Sequence, residues 1–127
     1  MIRLTKNQIL LLQKILIQKF GGIHGVRDEN LFESAIETPF QTFGGQDLYP
    51  SLIEKAARLC YGLIKNHPFL DGNKRIGAFA MENFLKINNY KLNCNDKELI
   101  EIVLGVADNS VTYDDFLNWL EGKIYVL

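Results

Sequence analysis

Apolar residues recur at every third or fourth position along most of the chain, a spacing that is typical of amphipathic helices rather than strands. The first such stripe predicts a helix from Thr5 to Phe20, begun by a capping box of Thr5 and Gln8 and ended by Gly21. Its apolar positions are Ile9, Leu12, Leu16 and Phe20. Neighbouring apolar residues widen the stripe, so we expect this helix to be buried over much of its circumference.

Further stripes of the same period follow, and most begin at a residue that can cap a helix. Four of these helices are predicted to start at Asp28, Ser51, Asn95 and Thr112, and one more follows the segment Asp71-Gly72-Asn73. Pro39 and Pro68 end the second and third, because a residue before proline avoids the α conformation. The pattern predicts an all-α fold, a compact bundle of about six helices.

The helical period is interrupted between Thr38 and Tyr49. There a strand-like run, Phe40–Phe43, precedes the turn signal Gly44–Gly45 and a possible return strand. We expect a small β-hairpin, or flap, and no other β element. Because an isolated hairpin is marginal in water, this flap must lean on the helices or on a partner.

Length and composition bound the class of protein. The 127 residues suit one domain, spanning 1–127, and 47% hydrophobic with 23% charged residues is ordinary for a soluble globular protein. The formal net charge is −1 and the basic residues are dispersed, so we expect no direct binding to nucleic acid or to an anionic membrane surface.

The two cysteines, Cys60 and Cys94, show no disulfide or metal-ligand spacing, which fits a reducing compartment. Cys60 lies on an apolar stripe and is interpreted as a core residue. The first residues do not resemble a signal peptide, and no apolar run is long enough to span a bilayer. We therefore expect a cytoplasmic protein.

The segment that carries chemistry is the loop from His67 to Gly77. Asp71-Gly72-Asn73 directly precedes a predicted helix, so unpaired backbone N–H groups and the positive end of the helix dipole face this loop. Gly72 allows an anion to approach the backbone closely, and the Asn73 amide is expected to add a side-chain donor. The sequence predicts a phosphate site here.

Two cations, Lys74 and Arg75, lie in the first turn of that helix, where the dipole disfavours positive charge. A guanidinium directed at phosphate oxygens would explain Arg75, and Lys74 adds a second cation. The alternative is that both are solvated surface charges.

Asp71 and His67 complete the loop, and each has a functional and a structural interpretation. Asp71 can bind Mg²⁺ together with substrate phosphates, or it can cap the helix. His67 can take a proton from a hydroxyl nucleophile, or it can be an ordinary loop histidine. Phe69 is expected to anchor the loop in the core. Together these residues suit transfer of a phosphate-containing group from a nucleotide to a hydroxyl.

The stretch from residue 67 to residue 75 reads His-Pro-Phe-Leu-Asp-Gly-Asn-Lys-Arg. This resembles the signature of the Fic/Doc superfamily, His-Pro-Phe-x-[Asp/Glu]-Gly-Asn-[Gly/Lys]-Arg. The dipeptide Arg27-Asp28 and the segment from Gln41 to Gly45 are similar to the death-on-curing (Doc) branch. The resemblance implies the Fic/Doc fold for nearly the whole chain.

The resemblance also implies roles for single residues. His67 matches the general base of the family, and Asp71 matches the ligand of Mg²⁺. Gly72 and Asn73 match the part of the loop that cradles phosphate, and Arg75 matches the arginine that binds the phosphates of ATP. The residues Gln41, Thr42, Phe43 and Gly44 resemble the flap that holds a target segment by strand addition.

Two positions depart from the adenylylating Fic pattern. Lys74 stands where those enzymes usually have glycine, and Ala78 stands where many have a second phosphate-binding arginine. In Doc-type proteins the same lysine accompanies an inverted ATP and phosphorylation of a threonine on elongation factor Tu. The resemblance therefore implies nucleotide binding by Lys74 and phosphoryl transfer to a Thr or Ser hydroxyl, with adenylyl transfer (AMPylation) as the alternative.

Self-inhibited members of the superfamily carry a helix of the pattern [Ser/Thr]-x-x-x-Glu-[Gly/Asn]. The nearest match is Glu121-Gly122, but Leu117 occupies the Ser/Thr position, so we interpret this segment as an ordinary terminal helix. The resemblance then implies inhibition in trans by a Phd-like antitoxin, as in a type II toxin–antitoxin system.

Overall fold

Six α-helices carry the fold in the computed structural model, which describes residues 1–127. They are α1 (Lys6–Phe20), α2 (Glu29–Glu37), α3 (Leu52–Asn66), α4 (Asn73–Ile87), α5 (Asp96–Ala107) and α6 (Tyr113–Lys123). The predicted all-α bundle is thereby confirmed. None of these helices combines the length and the apolar character that crossing a membrane requires.

The central pair of the bundle is α3 and α4, which pack at close range because small residues lie between them. A Cβ atom at Gly77 of α4 would lie 3.0 Å from Ile64 Cγ1 and 3.1 Å from the Cys60 carbonyl oxygen of α3. On the other side of α3, a Cβ atom at Gly62 would lie 3.3 Å from the Ala35 Cα of α2. These contacts explain the small residues in both helices.

The thiol of Cys60 is fully buried in the core, as the sequence predicted. Burial raises its pKa far above the ordinary value, because the thiolate would lose its hydration in this apolar surrounding. Cys60 is therefore an inert packing residue rather than a nucleophile.

Helix α1 departs from the expectation that most of its circumference would be buried. Only Ile9, Gln13 and Leu16 are buried, whereas Leu11 and Ile15 are about half exposed, at 56% and 49%. The reason is that α1 packs mainly on α4 and lies at the outside of the bundle. Leu11, Leu12 and Ile15 of α1 line an open groove of about 330 Å³ beside Ile87.

The expectation of a single β element is also wrong. The predicted hairpin exists as β1 (Thr42–Phe43) and β2 (Gln46–Asp47), but β3 (Tyr90–Leu92) and β4 (Ile124–Val126) form a second antiparallel pair. In that pair Tyr90 lies opposite Val126 and Leu92 lies opposite Ile124. Three-residue strands far apart in sequence carry too little alternation to be recognised, which is why the second pair escaped prediction.

Candidate active site

The loop between α3 and α4 places His67 in an unusual backbone conformation. His67 has φ 50° and ψ 52°, in the left-handed region, and is one of three non-glycine residues with positive φ. This conformation costs a residue with a side chain about 1–2 kcal/mol. The side chain of His67 is exposed, whereas Pro68 and Phe69 behind it are buried.

An open cleft of about 280 Å³ lies at this loop. Seven residues line it: His67, Leu70, Asp71, Gly72, Asn73, Lys74 and Arg75. All six residues predicted for base, metal and phosphate roles are among them. None of the flap residues Gln41–Gly44 lines the cleft.

Helix α4 begins differently from the other five helices. Those helices each have a side-chain cap at the N-terminus, provided by Thr5, Asp28, Ser51, Asn95 and Thr112. The N-cap residue of α4 is instead Gly72, which has φ 81° and contributes no capping side chain. The first helical bond runs from the Ile76 N–H to the Gly72 carbonyl oxygen at 2.8 Å. The helix therefore leaves the N–H groups of its first turn available to an anion in the cleft.

The side chain of Asn73 binds the backbone of the loop itself. Its amide nitrogen donates to the Phe69 carbonyl oxygen at 3.1 Å, and its amide oxygen accepts from the Phe69 N–H at 2.9 Å. Asn73 is 3% exposed. One of the two N–H donors of the amide is therefore used within the loop, and Asn73 also offers the cleft its backbone N–H group.

The carboxylate of Asp71 does not cap α4, which excludes the structural interpretation left open by the sequence. Its Oδ2 accepts a hydrogen bond from the Ile23 N–H at 2.7 Å, and this bond fixes the side chain beside the cleft. No group of three or more His, Cys, Asp or Glu side chains could hold a metal ion by itself. A single carboxylate fits Mg²⁺, because that ion is usually bound through one or two carboxylates together with substrate phosphates and water.

The two cations of the cleft are both exposed. The guanidinium of Arg75 lies over the ring of Phe20, with the Cζ atom 4.2 Å from the ring centroid. This cation–π contact orients Arg75 while its N–H groups stay free for phosphate oxygens. Lys74 makes no ion pair with a carboxylate.

Gln13 supports the site and was not predicted by the sequence. It is fully buried, and its amide nitrogen lies 3.4 Å from the carbonyl oxygens of both Ile23 and Asp71. Its amide oxygen accepts from the Gly25 N–H at 3.2 Å. The glycine-rich turn at residues 21–25 is thereby held against Asp71. The signal that could have revealed it is a polar residue within the apolar stripe of α1.

Phe69 anchors the loop in the core, as predicted. Its side chain is fully buried and its ring centroid lies 4.8 Å from that of Phe32. Phe69 also forms an antiparallel β-bridge with Val26. The segment from Gly25 to Asp28 therefore runs alongside the loop between α3 and α4.

The flap is a hairpin with a two-residue turn, and it lies on the surface. Gly44 and Gly45 both have positive φ, 58° and 79°, which suits the type I′ turn between β1 and β2. Phe43 is 79% exposed. The flap is held to α3 by Lys55, whose side chain is almost fully buried and whose ammonium group contacts Asp47 Oδ2 at 3.1 Å and the Tyr49 carbonyl oxygen.

Replacing Lys55 by methionine is expected to loosen the flap while the bundle stays folded. The variant keeps an unbranched side chain in the buried channel but removes the charged donor that ties Asp47 and Tyr49 to α3. Because such charge-assisted bonds contribute about 1.5–3 kcal/mol, we expect amide hydrogen exchange in residues 42–48 to accelerate by at least about tenfold.

The matched control for this prediction is Lys86→Met. Lys86 is half exposed and pairs with Glu82 one turn away on α4, so its loss is expected to leave exchange in the flap unchanged. Equal exchange rates for the flap amides in Lys55→Met and in the parent protein would contradict the anchoring role.

Comparison with known proteins agrees with the motif and its setting. A model of the Fic/DOC family matches residues 3–85, a span that runs from before α1 to near the end of α4 and includes the whole cleft. The chain is 45% identical over 73 residues to Toxin Doc of Mycolicibacterium smegmatis (strain ATCC 700084 / mc(2)155). That alignment covers 58% of this chain and 56% of the relative, so the chain spans little more than half the length of this protein. The family resemblance of the sequence is confirmed.

Proposed function

Because the chain belongs to the Fic/DOC family, we propose that it is a Doc-like toxin that transfers the terminal phosphoryl group of ATP to a threonine or serine hydroxyl of a target protein. The observation that carries this proposal is the cleft in which His67 shares one wall with the uncapped N-terminus of α4 and with Arg75. A proton acceptor and an anion site meet there, as transfer of a phosphate group to a hydroxyl requires.

Each cleft residue has a defined task in this proposal. The imidazole of His67 takes the proton from the attacking hydroxyl. The free N–H groups of the first turn of α4 and the guanidinium of Arg75 bind phosphate oxygens and stabilise the charge that develops on them. Asp71 would hold Mg²⁺, which when bound neutralises charge on the phosphates.

Two positions support phosphoryl rather than adenylyl transfer. Lys74 adds a cation at the mouth of the cleft that adenylylating relatives usually lack. Ala78 is fully buried in the core, so the position of their second arginine is closed to a nucleotide in this chain. Elongation factor Tu is the target that the Doc resemblance favours. Adenylyl transfer remains the competing proposal, because it uses the same base and the same anion site.

Labelled ATP separates the two reactions. Incubation of the protein with Mg²⁺, elongation factor Tu and ATP labelled at the γ-phosphate is expected to label the factor. A target labelled from the α-phosphate, with a mass gain equal to AMP, would overturn phosphoryl transfer. A target that gains label from neither position would remove this factor as the substrate.

Replacing Lys74 by glycine tests the residue that distinguishes the two reactions. We expect phosphoryl transfer to fall by about tenfold or more, because a cation at the phosphate site stabilises charge in the transition state. The control is Lys97→Gly, since Lys97 is an exposed lysine at the same position, the second residue, of α5. If Lys74→Gly transfers the same group at the same rate as the parent, the argument for phosphorylation from this residue fails.

We further propose that a Phd-like antitoxin restrains the protein in trans. Glu121 lies exposed on α6, which packs on α3 and α5, and it does not line the cleft. Expression of the chain alone is expected to arrest growth, and co-expression of its antitoxin, to be sought as a short open reading frame beside the gene, is expected to restore it. Growth unaffected by the active chain alone would contradict the toxin proposal.

A further inference from the structure

We propose that Arg27 is a positioning residue that holds His67 in its left-handed conformation and thereby aims the imidazole into the cleft. Arg27 lies outside the catalytic loop and does not line the cleft. The activity readout of this inference rests on the proposed function, whereas its structural readout does not.

The contacts of Arg27 converge on the end of α3. Its Nε donates to the His67 carbonyl oxygen at 2.8 Å, and its Nη2 donates to the Asn66 carbonyl oxygen at 3.0 Å. The backbone N–H groups of Arg27 and Asp28 both donate to the Pro68 carbonyl oxygen, at 2.7 Å and 3.1 Å. Four donors from two adjacent residues thus bind three successive carbonyl groups at the turn that carries His67.

The conformation of His67 needs such support. A residue before proline prefers extended backbone, and a residue with a side chain avoids the left-handed region. His67 departs from both preferences, since its φ and ψ are 50° and 52°, in the left-handed region. The fork of the Arg27 guanidinium binds the carbonyl groups on both sides of the His67 φ and ψ angles, so these two bonds fix the rotation about them.

Arg27 also suits the electrostatics of this position. The last carbonyl groups of a helix carry partial negative charge and have no partner within the helix, and a cation there is favourable. Because Arg27 is exposed, its side chain fills no space in the core. Its replacement therefore removes the hold on His67 without creating a cavity.

The experiment compares Arg27→Ala and Arg27→Lys with the parent. A control, Arg3→Ala, removes another exposed guanidinium, which pairs with Glu37 at 3.1 Å instead of with the loop. For each protein, kcat of phosphoryl transfer, ATP affinity and the ¹³Cα and ¹³Cβ chemical shifts of His67 are measured. The shifts report the backbone conformation of that one residue and require no turnover.

We expect Arg27→Ala to lower kcat by about 100-fold, because a misplacement of about 1 Å in a catalytic group can cost that much. ATP affinity is expected to stay at the parent value, since the first turn of α4 is untouched. The His67 shifts are expected to move from helix-like towards extended values. Lysine cannot bridge both carbonyl groups with a planar fork, so kcat and the His67 shifts of Arg27→Lys are expected to lie between those of Arg27→Ala and of the parent. Arg3→Ala is expected to match the parent.

Unchanged His67 shifts in Arg27→Ala overturn the inference, whatever happens to kcat. An unchanged kcat with altered His67 shifts in Arg27→Ala also overturns it. A parallel loss of kcat, ATP affinity and thermal stability overturns it as well, because that result would indicate a general structural role. If the parent itself transfers no phosphoryl group, the proposed function fails, and the shifts alone then decide whether Arg27 holds His67.

Discussion

Replacing His67 by asparagine is expected to abolish group transfer while ATP still binds. General-base catalysis by a positioned side chain contributes about 10²–10⁴-fold, so the rate is expected to fall by that factor or to the limit of detection. ATP affinity is expected to stay near the parent value because the proposed phosphate donors belong to the first turn of α4 and to Arg75, which the substitution does not touch.

Asparagine is the informative replacement because it tolerates the left-handed backbone that His67 adopts. His67→Ala removes the imidazole as well, but it adds backbone strain at the same position, and the two effects would be mixed. Transfer is measured with labelled ATP, and binding by isothermal calorimetry. Loss of both transfer and ATP binding in His67→Asn would contradict the assignment of His67 as the base.

The largest expected loss of stability comes from Phe69→Ala. Truncation of a fully buried phenylalanine typically costs about 3–5 kcal/mol of unfolding free energy. Here the substitution also removes the ring that packs against Phe32. The backbone of the same residue, Phe69, makes both hydrogen bonds to the Asn73 side chain. We therefore expect a lower urea midpoint and, because the loop loses its anchor, a loss of transfer activity in the fraction that remains folded.

Phe43→Ala is the matched control for this prediction, since Phe43 is the same residue type at 79% exposure on the flap. Its loss is expected to change the unfolding free energy by less than about 0.5 kcal/mol. If Phe69→Ala unfolds at the same urea concentration as Phe43→Ala, the loop does not depend on its buried anchor.

Features that depend on local sequence could be predicted. The capping positions Thr5, Asp28, Ser51, Asn95 and Thr112 each form the expected side-chain bond, because an N-cap involves only residues two or three positions apart. The cleft residues were found for the same reason, since they lie within nine consecutive positions and one turn brings them together. The type I′ turn of the flap follows directly from its two adjacent glycines.

Features that depend on distant pairs could not be predicted. Gln13 contacts Asp71, which lies 58 positions away in the sequence. Strand β4, which follows α6, pairs with β3, which follows α4. Lys55 is buried because the flap folds back onto α3, and the spacing of apolar residues does not indicate this contact. The exposure of α1 is a similar case, because its apolar stripe does not indicate how much of it the other helices cover.

Gly77 lies where α3 and α4 pack together beside the cleft. Helix α3 ends at Asn66 and α4 begins at Asn73, so the width of the cleft between them depends on how closely these two helices approach each other. Gly77 lies one turn into α4, and a Cβ atom at this position would lie 3.0 Å from Ile64 Cγ1 in the last turn of α3. Because this contact is tighter than ordinary van der Waals contact, Gly77→Ala is expected to shift α3 relative to α4 by a few tenths of an ångström. In the proposed reaction, a residue without a side chain would thus help to set the distance between His67 and the anion site at the start of α4.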